Sequence, residues 1–349
     1  MNNRKVKFGI IGTGMIAAVH AEALSKLDNA ELCMVYDKVP EKAKAFAEKH
    51  NCLYESDFDK FLTSDIEAVT IATPSGLHAE VALPAIKAGK HILCEKPLEI
   101  TVSKANELVR ACEVANVRLS AVFQSRYSRS VQLIKKAVDE GRFGQPVLAS
   151  ASIRWFRTPE YFTNATWRGT WALDGGGALM NQGIHTADLL LYFNGDVSEV
   201  NAHTANILHK SIEVEDTVVG MLRFKNGSLG ILEASTACGP GFPRRVELSG
   251  TTGSVVLEDD RITRWQFVNE KPEDEEIRKS ASFGEGMQGG YGDPKAITCE
   301  GHRRQIGELA DAILTGSGLT TPGAEGKRVI ELICAVYKSA KTGTPVNFL

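Results

Sequence analysis

The chain has little that would mark it for a membrane, a nucleic acid or an oxidising compartment. No apolar run approaches membrane-spanning length. Forty Lys and Arg against 43 Asp and Glu leave a net charge of −3 at pH 7. That balance gives no electrostatic footprint for nucleic acid or anionic lipid. The seven cysteines, at positions 33, 52, 94, 112, 238, 299 and 334, are odd in number, scattered and never spaced as CxxC. They argue against a disulfide scaffold or a zinc site, and for reduced thiols in a cytoplasm. Cys94 lies beside a motif discussed below but reads as a small core residue. There is no internal repeat or low-complexity tract. The opening MNNRKVKFGIIG is basic, yet its apolar run ends within a few residues in a glycine turn, so it reads as a first strand rather than a signal peptide.

What is present is an ordinary globular composition, 43% hydrophobic and 24% charged, over 349 residues. That length exceeds the size at which single cores stop growing, and two domains are expected, residues 1–125 and 126–349. The most informative stretch is 7–37. Lys7–Gly12 is a short apolar run, and Gly12-Thr13-Gly14-Met15-Ile16-Ala17 follows as a GxGxxA turn. Ala17–Leu27 is helical in composition, and Glu31–Tyr36 is apolar again before Asp37. In a dinucleotide fold Gly12 permits the tight turn, Gly14 lets backbone approach a pyrophosphate, and Ala17 lets helix pack on strand. The phosphates then meet free N–H groups at the helix N-terminus, beside Met15 and Ile16. Asp37 stands where the ribose hydroxyls need an acceptor. Its charge repels a 2′-phosphate, so NAD is favoured, while Lys38 beside it leaves NADP open.

Up to residue 125 apolar runs alternate with helical stretches. Lys7–Gly12, Glu31–Asp37, Ala68–Thr73, His91–Lys96 and Leu119–Gln124 are nearly continuous V, I, L, A and C, as parallel strands buried on both faces require. Pro40–His50, His78–Ala88 (closed by Gly89) and Thr101–Ala115 read as the intervening helices. This predicts an α/β, doubly wound Rossmann sheet. Beyond residue 145 the texture changes. Gln145–Phe156 is extended, Asp216–Phe224 and Ser228–Ser235 flank Lys225-Asn226-Gly227, and Arg245–Ser249 and Ser254–Leu257 flank Gly250–Gly253. Asn-Gly between β-rich runs is a strong hairpin signal. With helices at Ser130–Glu140, Gln305–Leu314 and Gly323–Thr342, the second half reads as an α+β domain with a large open, mainly antiparallel sheet, its C-terminal helices free to pack back on the Rossmann domain. The open sheet face must be covered, and a second subunit would do so, giving a homodimer or homotetramer. Ser282–Cys299, rich in glycine and polar residues, reads as a mobile loop near the cleft.

Three segments carry chemistry. Thr73-Pro74-Ser75-Gly76-Leu77-His78 and Glu95-Lys96-Pro97 follow strands, at the carboxyl ends where ligands bind in such sheets. Proline cannot continue the ladder, so Pro97 sets where the Lys96 ammonium points, and a cis Lys96–Pro97 bond fits such a turn. The third runs from Gly175-Gly176-Gly177 through Asn181 and His185 to Asp188. These three residues, four and three apart, are expected on one helical face. No second histidine or cysteine stands at ligand spacing, so no metal is expected here. Arg157, Trp167 and Arg168 lie in an aromatic- and arginine-rich stretch suited to a sugar ring and an anionic group, or equally to an interface. Gln124, Arg126 and Tyr127 fall at the domain junction; Gln124 is expected beside the cofactor, and Arg126 as a substrate contact or a structural clamp.

In this order, GIIGTGMIA, ATPSGLHAE, CEKPL and GGGALMNQGIHTADLL resemble the glucose–fructose oxidoreductase / inositol 2-dehydrogenase / MocA family, and the likeness includes FQSRY at Phe123–Tyr127. The resemblance implies oxidation of one secondary hydroxyl of a sugar or cyclitol with NAD(P). By motif, Lys96 matches the family's catalytic lysine and His185 its catalytic histidine. Asn181 stands where many members have aspartate, and the chain is similar to the branch of nucleotide-sugar 3-dehydrogenases acting on a UDP-N-acetylhexosamine or hexosaminuronate. In that reading His185 is the general base, Lys96 stabilises alkoxide charge and Asn181 orients substrate, with Thr73, Pro74, His78, Glu95 and Lys96 beside the cofactor. Three alternatives stay open: NAD-assisted glycoside cleavage or elimination without net redox change, inositol or free-aldose oxidation, and a non-catalytic NAD-binding regulator.

Overall fold

A computed structural model describes residues 4–280 and 298–348. The loop expected at 282–299 therefore lies almost wholly outside the described residues. The chain divides into two compact units, Met1–Gln124 with Thr298–Ile330, and Ser125–Ile297 with Glu331–Leu349.

The first unit alternates strand and helix: β1 (Val6–Ile11), α1 (Met15–Ser25), β2 (Ala30–Tyr36), α2 (Pro40–His50), β3 (Leu53–Glu55), α3 (Phe58–Thr63), β4 (Ala68–Ile71), α4 (His78–Lys87), β5 (His91–Cys94), α5 (Val102–Ala115) and β6 (Leu119–Ala121). All six strands are parallel, in the order β3-β2-β1-β4-β5-β6. The order reverses between β1 and β4, which opens the crevice where dinucleotides lie. The Ala-Val-Thr-Ile of β4 is buried throughout, as a strand covered on both faces must be. Local chemistry ends the helices where expected. Pro40 starts α2, Thr101 accepts the Lys104 N–H at the start of α5, and Asn51 and Asn116 take the left-handed conformation at two C-termini. The short β3 and α3 were not foreseen; Leu53-Tyr54-Glu55 is an edge strand too short for any periodicity.

The second unit is built on α6 (Arg129–Asp139), β7 (Pro146–Arg154), α7 (Pro159–Thr163), α8 (Ile184–Asn194), β8 (Val197–Ala205), β9 (Thr217–Phe224), β10 (Leu229–Ser235), β11 (Arg245–Gly250), β12 (Gly253–Glu258), β13 (Arg261–Phe267) and α9 (Pro272–Ser280). The chain ends in α10 (Glu300–Thr315), α11 (Gly323–Thr342) and β14 (Val346–Asn347). Thr298–Ile330, and so all of α10, belongs to the first unit, where Ile306, Leu309 and Ala310 join its core. The eight-stranded sheet runs β13-β12-β11-β7-β10-β9-β8-β14 and is antiparallel except for the β7–β10 pair. Both foreseen hairpins form. Gly227 adopts φ +91° in the β9–β10 turn, and β11 pairs antiparallel with β12. Among the described residues no helix is long and apolar enough to cross a membrane, and none of the cysteines forms a disulfide.

Candidate functional site

In the first unit the glycine turn is shaped for a ligand. Gly12 has φ +89°, and a Cβ there would lie 2.9 Å from the Ala72 carbonyl oxygen, so no other residue fits without strain. A Cβ on Gly14 would project into open space, the room that a diphosphate needs. Gly14 is also the N-cap of α1 and offers no side chain to its N–H groups, and the first turn holds no acid. Met15 is exposed beside that open helix end. The Asp37 carboxylate accepts the Thr13 N–H at 2.9 Å, the Thr13 hydroxyl at 2.8 Å and the Val39 N–H at 3.0 Å, which pins it at the end of β2. Two further expected positions, Thr73 and Gln124, each carry a buried oxygen (Oγ1 and Oε1) with no hydrogen-bond partner among the described residues. Such orphaned groups are costly unless a ligand or water meets them. These features fit a bound dinucleotide.

Two residues expected to touch the cofactor do something else. His78 is 1% exposed, with Nδ1 2.8 Å from the Pro97 carbonyl and Nε2 3.1 Å from that of Thr73. Burial pushes its pKa down against the two carbonyls, which favour an N–H on each ring nitrogen. His78 thus ties the Thr73 loop to the turn after Lys96. Glu95 is likewise turned inward, onto His20 and His302, while its Oε2 accepts the Lys96 N–H at 3.0 Å. The Lys96–Pro97 bond is cis, as expected. Lys96 is therefore held by its backbone on both sides and half-buried at the end of β5.

In the second unit the glycine run leads into a π-helical turn, Ala178–Gly183, before α8. Asn181 lies in that wider turn, while His185 and Asp188 stand three apart in α8. Asp188 points inward and pairs with Arg126, Oδ2 to Nε at 3.0 Å and Oδ1 to Nη2 at 2.6 Å. Arg126 is 1% exposed and stacks 4.3 Å from the Tyr192 ring centroid. This pairing is the structural clamp of the two readings. Asn181 and His185 remain half-buried.

Asn181 is held by a network that the sequence did not disclose. Its Nδ2 donates to Asp174 Oδ1 at 2.5 Å, and its Oδ1 accepts from Gln182 Nε2 at 2.6 Å. Gln182 Nε2 also reaches Tyr161 Oη at 2.9 Å. Gln182 Oε1 accepts from Arg157 Nε and Nη2 at 3.2 and 2.9 Å. Arg157, only 3% exposed, is thereby a buried strut of this network. Arg168 donates to the Tyr161 carbonyl and packs over the Tyr161 and Trp167 rings. It and Trp167 stay partly exposed. Asp174, immediately before the glycines, supplies a carboxylate one hydrogen bond from the asparagine.

The glycine run itself is clamped by Glu215. Its Oε2 accepts the Gly177 N–H, and its Oε1 accepts the Leu179 N–H and the Tyr337 hydroxyl, all at 2.9 Å. Burial pushes this carboxyl up to about 7 against those hydrogen bonds. A Cβ on Gly177 would sit 1.8 Å from the Glu215 carbonyl oxygen. Gly177→Ala is therefore expected to cost about 3 kcal/mol by forcing backbone apart. A lower melting temperature for the variant checks this; an unchanged one contradicts the clamp.

The first unit is thus a dinucleotide-binding module, and the second presents a histidine and an anchored asparagine on a glycine-lined turn. That defines an NAD-dependent oxidoreductase. Residues 6–123 match the oxidoreductase family with NAD-binding Rossmann fold, and residues 131–256 match the GFO/IDH/MocA C-terminal domain. The chain belongs to the GFO/IDH/MocA oxidoreductase family. It is 30% identical to levoglucosan dehydrogenase of Pseudarthrobacter phenanthrenivorans, over 79% of this chain and 78% of that protein. It is similar to the WlbA dehydrogenase of Bordetella pertussis in complex with NADH and UDP-GlcNAcA, at TM-score 0.88 and 32% identity over 99% of each chain. The Chromobacterium violaceum WlbA dehydrogenase, with the same two ligands, matches at TM-score 0.90 and 33% identity, over 100% of this chain and 97% of that one.

Proposed function

We propose that this protein oxidises the C3 hydroxyl of a UDP-linked N-acetylhexosaminuronate, with NAD as hydride acceptor. The observation that carries the reading is the end-to-end likeness to two dehydrogenases crystallised with NADH and UDP-GlcNAcA. The anchored Asn181 agrees with it, since a fixed amide can orient a sugar without competing for its proton.

Bound NAD supplies the electrophilic nicotinamide C4 that receives the hydride. Every other requirement falls to the chain. His185 takes the hydroxyl proton as the C–H electron pair leaves, because imidazole titrates near neutral pH and asparagine does not. Lys96 hydrogen-bonds the same oxygen and stabilises its developing negative charge. Asn181, held by Asp174 and Gln182, fixes the sugar ring, and Trp167 and Arg168 offer an aromatic face and a cation to the rest of the substrate. An absorbance screen at NADH wavelengths over UDP-sugars, free aldoses, sugar phosphates and inositols tests this. Free NADH should accumulate fastest with the UDP-hexosaminuronate. Substrate consumption without NADH would instead mean elimination through transient oxidation, and a faster inositol or aldose would overturn the nucleotide-sugar reading.

The chain is also proposed to assemble as a homo-oligomer through its eight-stranded sheet. Leu148 on β7, Val219 and Met221 on β9, and Leu229 and Ile231 on β10 are 46–60% exposed, on adjacent strands with Leu229 opposite Leu148 and Ile231 opposite Met221. A contiguous apolar face of this kind ordinarily meets a partner. Light scattering of Met221→Glu/Ile231→Glu should show monomer where the parent shows a larger species, with NAD binding retained. A monomeric parent would contradict it.

A further inference from the structure

Beneath Lys96 the first unit buries a carboxylate that none of these steps uses. Glu95 Oε1 lies 2.9 Å from Nε2 of His20 on α1 and 3.4 Å from Nε2 of His302 on α10. His20 is 0%, His302 1% and Glu95 6% exposed.

The two imidazoles set the charge of this cluster. Their Nδ1 atoms are buried and have no hydrogen-bond partner among the described residues. A ring that donates its one proton to Glu95 through Nε2 leaves only a bare lone pair at Nδ1, whereas an imidazolium would strand an N–H donor in the core. The three donor atoms lie within 4.8 Å of one another, close enough to suggest a metal site. Metal coordination through Nε2 would strand the same N–H, which metal-bound imidazoles ordinarily give to an acceptor. His20 is therefore a neutral donor to Glu95. Burial pushes His20 down, in agreement. Burial alone would raise Glu95, but the hydrogen bonds from His20 and His302 outweigh it and hold the carboxyl well below its usual range. Glu95, accepting from His20 and from the Lys96 N–H, is the negative charge of this cluster.

Its place in the sheet gives that charge a target. Asp37 ends β2 and marks the adenosine side of the crevice, so the nicotinamide half belongs on the side of β4, β5 and β6, where Glu95 follows β5. The nicotinamide ring is cationic in NAD and neutral in NADH. We propose that His20, Glu95 and His302 form a fixed buried anion that tightens the binding of NAD relative to NADH, so that reduced cofactor leaves and oxidised cofactor replaces it after each turnover. This rests on NAD binding and not on the identity of the sugar.

The test is the pair of dissociation constants, by calorimetry for NAD and fluorescence for NADH, on the full chain and on Glu95→Gln, which keeps size and an acceptor but loses the charge. Through a protein interior, removing one charge near the ring should weaken NAD on the order of tenfold and leave NADH affinity in place. That change in the ratio corresponds to about 30 mV in the potential of the bound two-electron couple. His302→Gln, which retains an N–H donor and the anion, should keep the parent ratio. Equal loss for both cofactors, or no change in either, would overturn the proposal. Should Glu95→Gln not fold, His302→Lys sets a cation against Glu95 and is expected to shift the ratio the same way; a folded His302→Lys with the parent ratio would overturn it equally.

Discussion

Replacing Lys96 with alanine is expected to lower turnover on the order of a thousandfold while NAD affinity stays near that of the parent. The expectation follows from how the residue is held. Its own N–H is bound by Glu95 at 3.0 Å, and the carbonyl of the next residue, Pro97, lies 2.8 Å from His78 Nδ1. Backbone anchoring on both sides survives truncation of the side chain, so the turn should keep its place while the ammonium is lost. The loss corresponds to about 4 kcal/mol of transition-state stabilisation. Steady-state NADH formation with a parallel binding measurement checks it. Turnover within tenfold of the parent, or parallel loss of NAD binding, would end the assignment.

The second large effect is structural. Arg126→Met should destabilise the second unit by about 3–5 kcal/mol, because it leaves the Asp188 carboxylate buried without its bidentate partner. The double variant Arg126→Met/Asp188→Leu should recover most of that loss, since removing both charges removes the uncompensated one. Thermal unfolding followed in the second unit reads both. If the single variant melts with the parent, the pair is not the clamp described above. If the double variant is as unstable as the single, packing rather than charge explains the loss.

Much of this molecule could be read from local pattern. The Gly12–Ala17 turn, the buried runs of β1, β4 and β5, the apolar run of β2, and the Asn226-Gly227 hairpin each follow from residues close together in sequence. The elements that escaped notice have weak local signals. β8, Val-Ser-Glu-Val-Asn-Ala-His-Thr-Ala, mixes polar residues on both faces, and β13 carries three arginine or glutamine residues on its exposed side. The parallel β7–β10 pair joins strands separated by two others in the chain, so no turn announces it.

At the site the division is the same. Lys96, Asn181 and His185 stand in recognisable motifs, but what holds them comes from far away. Glu215 is 38 residues from Gly177, and His20 is 75 from Glu95. His20 lies inside an apolar helix, where it reads as core. Asp174 was nearer to hand, an acid directly before the glycine run. Arg126 and Arg157 were each left between two roles because a buried arginine with a partner and an exposed one awaiting an anion look alike in sequence.

The central claim is that hydride leaves C3 of the sugar for the cofactor, and isotope transfer tests it most directly. UDP-hexosaminuronate deuterated at C3 should yield NADH carrying one deuterium at nicotinamide C4, with a 3-keto sugar as the other product. Unlabelled NADH, or deuterium retained at C3 of the product, would contradict it.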